Sequence, residues 1–135
     1  MTPVALLYDP DCGFCRVCVA VFLRWDRHRR LRPVALGSEG ADSLVAGIPE
    51  EKRMASWHLA HQGRPVLSAG AAFPELFRLL PWGRPLAALT ARFPRASDWA
   101  YRLVAGHRSL LGRALPSAAR RWADGVISGS RPVGR

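Results

Sequence analysis

The stretch Tyr8-Asp9-Pro10-Asp11-Cys12-Gly13-Phe14-Cys15 decides how this 135-residue chain is read. It follows a short apolar run, Val4 to Tyr8, and leads directly into the most apolar helical segment, Phe14 to Trp25, so two thiols stand at a strand-to-helix turn. A near-continuous apolar run suits a central strand covered on both faces. Two cysteines with two residues between them can close a small disulfide. A thiol at the first turn of a helix faces unpaired backbone N–H groups and the positive end of the helix dipole, which favour its thiolate. If the pair is redox active, Cys12 at the exposed edge of the turn is the expected nucleophile. Cys15, one turn into the helix, is the expected resolving thiol.

The neighbours of the pair pull in opposite directions. The helix end favours a thiolate by about 0.3–2 kcal/mol, and a carboxylate about 7 Å away opposes it by about 2 kcal/mol at an effective dielectric of about 20. Asp9 and Asp11 lie close enough in sequence to oppose, and Arg16 to assist. Asp9 has two candidate jobs, proton acceptor for Cys15 or a turn carboxylate bonded to backbone N–H groups. Asp11, directly before the helix, reads as its cap. Gly13 and Phe14 lie between the thiols and are expected to tune the potential, and Pro10 to stiffen the turn. Cys18, three residues on, reads as a small buried hydrophobe.

Metal ligation competes with redox chemistry. Cys12, Cys15 and Cys18 form a C-x2-C-x2-C run, but the position where an iron–sulfur run wants its fourth cysteine is Phe22. His58 and His61 could complete a zinc site only if their segment were helical, because that spacing on a strand sends the two side chains to opposite faces. No resident metal or cofactor is expected.

Outward from the motif, Leu31 to Leu36 reads as a second strand, with Pro33 placing it at an edge. Ser38 is expected to cap a short helix carrying Ala41, Leu44 and Val45, ended by Gly47 and Pro49. Ser56 to His61 and Val66 to Ser68 form a hairpin around Gln62-Gly63-Arg64-Pro65. Gly70 opens a helix, Ala71 to Leu80, that tolerates Pro74 in its first turn and stops at Pro81. This βαβαββα order, with a C-x-x-C after the first strand, predicts a thioredoxin-like α/β fold: a central four-stranded mixed sheet flanked by helices. Residues 84–125 are helical by pattern, broken at Pro94 and Pro116. The first helix carries no charge except Arg16 until Arg24, so its first two turns should be buried almost all round. The all-helical C-terminal extension is expected to cover it. One domain is expected over residues 1–127, with a core at 1–81 and a flexible tail at 128–135. The five tryptophans, one per element, are expected to pack in the core or at its rim.

The net charge of +10 is uneven: residues 1–70 hold nine basic and seven acidic residues, and residues 71–135 hold eleven and three. Nineteen of the twenty basic residues are arginine, as the codon bias of a GC-rich bacterium would give. No basic run is interleaved with aromatics, so specific nucleic-acid binding is not expected. No run approaches the ~18–20 apolar residues of a membrane span. Three cysteines, and an N-terminus without a basic leader or cleavable apolar region, predict a reduced, cytoplasmic protein. The oligomeric state is not fixed by any of these features.

Taken together, Asp9, Cys12 and Cys15 after the first strand resemble the DCC family of bacterial thiol-disulfide oxidoreductases, named for its Asp-x-x-Cys-x-x-Cys pattern. The resemblance extends to Asp26, Met54 to His58, Gly70-Ala71-Ala72-Phe73, Leu79-Leu80-Pro81 and Tyr101 to Arg108, covering roughly residues 4–110. Pro10 departs from it, where the family usually has glycine. The resemblance implies a thioredoxin-like fold and disulfide reductase activity. The expected partners are a protein or small-molecule disulfide as substrate and a cellular thiol or reductase as electron donor. Two other readings stay open at this stage. One is a non-catalytic module binding a partner through Arg108, Arg113, Arg120 and Arg121. The other is a glutaredoxin-like metal or iron–sulfur binder, since Met54-Ala55-Ser56 lacks the cis-proline that keeps metals off such thiols.

Overall fold

The computed structural model describes residues 3–130 except 55, 62 and 63. Strand β1, Val4–Tyr8, is buried at every position, as a run of five apolar side chains requires of a strand covered on both faces. It pairs in parallel with β2, Leu31–Ala35, and antiparallel with β3, His58–Ala60, which pairs antiparallel with β4, Leu67–Ser68. The sheet order is β2-β1-β3-β4, so β2 lies at the edge that Pro33 predicts. Alternate residues of β1 feed two cores. Val4, Leu6 and Tyr8 join one with Val19, Leu76 and Ile127, and Ala5 and Leu7 join the other with Val34, Ala41 and Val45. The fold is the thioredoxin-like α/β class, a four-stranded mixed sheet with flanking helices and a helical C-terminal region.

Helix α1, Gly13–Trp25, crosses between β1 and β2. At its far end Asp26, buried, accepts the backbone N–H groups of Arg30 (3.0 Å) and Leu31 (2.7 Å), which locks the helix to the start of β2. The Trp25 indole donates to the Pro81 carbonyl at 2.7 Å, a second tie. Helix α2, Glu39–Leu44, begins after Ser38, but the Ser38 hydroxyl donates to the Ala35 carbonyl and does not cap. Pro49 does not simply end this region. It starts a one-turn helix, α3, Glu50–Arg53, whose two glutamates precede Lys52 and Arg53 in the order the helix dipole favours.

The helix expected at Ala71–Leu80 is split: a 3₁₀ turn takes Ala69–Ala72, and α4 runs Phe73–Leu79 with Pro74 in its first turn. Helices α5 (Arg84–Arg92), α6 (Pro94–Gly106), α7 (Arg108–Ala114) and α8 (Ser117–Gly129) follow. Helix α8 lies along α1, burying Ala123 and Ile127, and α7 also packs on α1, which supplies the cover the first helix needs. Helix α6 rests on the 3₁₀ turn so closely that a Cβ on Gly70 would stand 2.6 Å from the Asp98 Cα.

Three expectations need correction. The first two turns of α1 are half-buried, because one of their faces lines an open cleft. Helix α8 continues to Gly129, past the expected start of the tail, and residues 131–135 lie outside the described residues. Trp82 and Trp99 do not pack, being 89% and 67% exposed. Among the described residues no helix is long and apolar enough to cross a membrane.

Candidate functional site

The turn between β1 and α1 is built by Asp9. Its carbonyl accepts the Cys12 N–H at 3.3 Å, and its Oδ1 accepts the Asp11 N–H at 3.0 Å. Asp9 therefore holds the turn, one of its two expected jobs. Asp11 does not cap the helix. It is exposed, and the N-cap is Cys12, whose Sγ accepts the Cys15 N–H at 3.3 Å. Asp9 holds the Asp11 amide in the turn, and the helix begins after the next residue, Cys12.

The two thiols are free and half-buried. Burial pushes the Cys15 thiol up to about 12, with its hydrogen bond to Cys12 and the Cys12 charge adding to the shift; Arg108 opposes it and Asp9 adds to it. At neutral pH Cys15 is therefore a thiol, and its backbone N–H donates to the Cys12 sulfur. Cys18 is also raised, to about 11, first by burial and then by the charge of Cys12; it is half-buried and lines the open cleft beside α1, where a fully buried hydrophobe was expected.

The charges around the turn are arranged differently from the expectation. Arg16 is engaged by other groups, donating to the Pro10 carbonyl at 3.3 Å and lying 3.5 Å from Asp124 on α8. Gly13 packs under α8, where a Cβ would stand 3.1 Å from the Arg120 side chain. The cation at the site is Arg108, from the start of α7, with Nη2 3.8 Å from Asp9 Oδ2. Arg120 is likewise turned inward, donating to the Leu115 carbonyl at 3.2 Å. Two of the four arginines proposed for a partner-binding surface are thus engaged within the molecule.

Beside Cys15 opens a cleft of about 410 Å³, floored by Leu6 and Tyr8 and walled by α1, α4, α5 and α6. Phe14, Cys15 and Cys18 face it from α1, whereas Cys12 lies outside the lining. An aromatic cluster forms its back: Trp57 against Phe73 (5.2 Å between centroids), Phe73 stacked on Phe77 (5.8 Å), and Tyr101 edge-on to Phe73 (6.0 Å). The Tyr101 hydroxyl accepts the Trp57 N–H at 3.4 Å, pinning α6 to the segment before β3. Burial raises the Tyr101 phenol above its ordinary range.

The histidines do not assemble with the thiols. His58 is buried in β3, with Nε2 2.8 Å from the Arg53 carbonyl and Nδ1 2.6 Å from the Ser68 hydroxyl. Since a carbonyl can only accept, Nε2 carries the proton and Nδ1 accepts from Ser68, so both ring nitrogens are occupied. His61 pairs instead with Glu75 at 3.1 Å. Among the described residues no cluster of three or more potential ligands could hold a metal.

Arg108 and Tyr101 are the site residues that reading the motif missed. Their one signal was the Tyr101 to Arg108 segment, which the family pattern includes; no local rule brings a residue more than ninety positions away to Asp9. A family model for the DCC1-like thiol-disulfide oxidoreductase matches residues 6–114, which spans β1 through α7 and takes in both residues. No curated protein and no solved structure matches the chain.

Proposed function

The chain belongs to the DCC1-like thiol-disulfide oxidoreductase family, and from that premise we propose that it reduces disulfides by cycling Cys12 and Cys15 between dithiol and disulfide. The observation that carries this reading is the placement of the pair. Cys12 stands at the head of α1 with its sulfur accepting the Cys15 amide at 3.3 Å, and Cys15 lies one turn on, its ionisation opposed by burial. Cys12 attacks one sulfur of the substrate disulfide, forming a mixed disulfide and releasing the first substrate thiolate, which takes a proton from solvent. Cys15 then gives up its proton and attacks the Cys12 sulfur, releasing the second substrate thiolate and closing the Cys12–Cys15 disulfide. Two electrons pass to the substrate.

The second step is where the surroundings act. With Cys12 tied in the mixed disulfide, burial still opposes the ionisation of Cys15, so this step needs a base and a cation. Asp9 is near enough to influence the Cys15 charge and serves as the proton acceptor, while Arg108 stabilises the nascent thiolate. Asp9 stays partly neutralised by Arg108 and bonded to the Asp11 amide, so it keeps its orientation through the cycle. The chain's own residues supply each of these roles without a bound cofactor. In this reading a cellular thiol or a reductase regenerates the dithiol, as a reducing compartment such as the cytoplasm would supply.

The test is reduction of a model disulfide by the full chain and two variants. Cys12→Ser abolishes turnover, and Cys15→Ser accumulates the mixed disulfide on Cys12, visible by mass spectrometry. Undiminished turnover in Cys12→Ser would sink the reading.

A further inference from the structure

The cleft beside Cys15 is too large to be a packing defect. A cavity of about 150 Å³ lined by apolar side chains already admits benzene, and about 410 Å³ lies within the range of ligand sites, about 300–1,000 Å³. Several of its hydroxyl groups are already engaged. The Thr90 hydroxyl donates to the Leu86 carbonyl at 2.9 Å, the Ser97 hydroxyl donates to the Phe93 carbonyl at 2.9 Å, and the Tyr101 hydroxyl holds the Trp57 amide. The two ionised groups in the lining, Asp9 and Arg108, face each other. The rest of the lining is apolar, so a charged or strongly polar occupant would lose more hydration than these few groups restore, whereas an apolar one would gain from burial against Phe14, Phe73 and Val104.

The cleft is open along α6. Ala100 and Val104 face it and yet remain exposed. A fully enclosed pocket would suit a free small molecule, but an open-sided trough lets a chain pass in and out with only its side chains seated. Cys15, the thiol adjacent to the attacking sulfur, lies in the lining of the trough. We infer that the disulfide accepted at this site is carried on a polypeptide with apolar side chains flanking the cystine, and that those side chains seat in the cleft between α1 and α6. The inference rests on the redox reading for its chemistry, which is the same two-electron exchange, and on the cleft alone for its selectivity.

The experiment compares the reduced full chain on two symmetric peptide disulfides with equivalent, uncharged termini, one built from acetyl-Phe-Cys-Leu-amide and one from acetyl-Ser-Cys-Ser-amide. The apolar disulfide is reduced with kcat/KM on the order of 10-fold higher or more, as expected when a site seats one or two extra apolar groups. Ala100→Phe, which fills the trough, brings the two rates together. Leu103→Ser, on the side of α6 that does not line the cleft, leaves the preference intact. Equal rates on wild-type protein overturn the inference, as does bis(2-hydroxyethyl) disulfide reacting as fast as the apolar peptide. If neither peptide is reduced, calorimetry with the S-methylated peptides decides. Binding of the apolar one alone leaves the recognition standing while the redox reading falls; binding of neither overturns the inference.

Discussion

β1 is buried at all five of its positions, while neither α6 nor α7 contributes a single buried residue. Both regions build the same site. β1 delivers Asp9 and the thiol turn from the middle of the sheet, tied on either side by parallel and antiparallel partners. α6 and α7 deliver Tyr101 and Arg108 from a layer that touches the core mainly through the 3₁₀ turn and α1. The difference separates two demands. Thiol chemistry needs fixed distances, which a central strand supplies; substrate selection needs a wall that can yield, which half-exposed helices supply.

The contrast is open to attack at several points, the strongest being stability. Leu6→Ala, in the core of β1, costs about 2–5 kcal/mol in chemical denaturation. Leu103→Ala, on exposed α6, costs within about 0.5 kcal/mol. Comparable costs would mean that α6 is as firmly held as the strand.

A second point is the cation lent by α7. Removing it with Arg108→Ala leaves the ionisation of Cys15 opposed by burial and Asp9 alone. Resolution of the mixed disulfide then slows on the order of 3- to 10-fold, with the rate of its formation little changed. Arg108→Lys recovers part of the loss. Rapid-quench measurement of the mixed-disulfide lifetime checks this, and an unchanged lifetime would show that α7 contributes cover and no charge. A related reading comes from alkylation of the reduced protein. Because Cys15 is pushed up to about 12, its rate should climb about tenfold per pH unit and reach no plateau by about pH 11. A plateau near pH 9 would place it in a far less buried setting.

The smallest effect concerns the strand side. Burial lowers His58 below its ordinary 6.5, the hydrogen bond to Arg53 opposing that shift. The unfolded chain therefore takes up a proton near pH 6.5 that the folded chain still refuses, so the His58 contribution is full above that pH and declines as pH falls below it. Denaturation at pH 7.5 and 5.5 should show a loss of stability that is smaller in His58→Gln.

Much of the platform was legible in the sequence because its signals are local. The apolar run at Val4 to Tyr8, Pro33 at an edge, and two thiols at the head of a helix each announce themselves within a few residues. The misplaced details are also local, but they turn on competition for single hydrogen bonds. Asp11 and Ser38 both have the composition of caps. In the fold Asp9 takes the Asp11 amide and Ala35 takes the Ser38 hydroxyl. No residue preference ranks such rivals in advance. The wall was illegible for another reason. Its helices are amphipathic, and periodicity tells which residues share a face without telling what that face meets. Arg108 thus read as one more surface arginine until the fold brought it to Asp9.

Gly70 carries a consequence of its own. It is the point where α6 lies backbone to backbone on the turn beneath it, with no room for a single added carbon before Asp98. A methyl group there would act as a shim, lifting the helix bodily and spreading the trough without altering any residue that lines it. The bore of the site is therefore set at this backbone contact, and Gly70→Ala is the smallest change that would spread the trough, carrying with α6 its own Tyr101 and the Arg108 just beyond its end, which together reach the site.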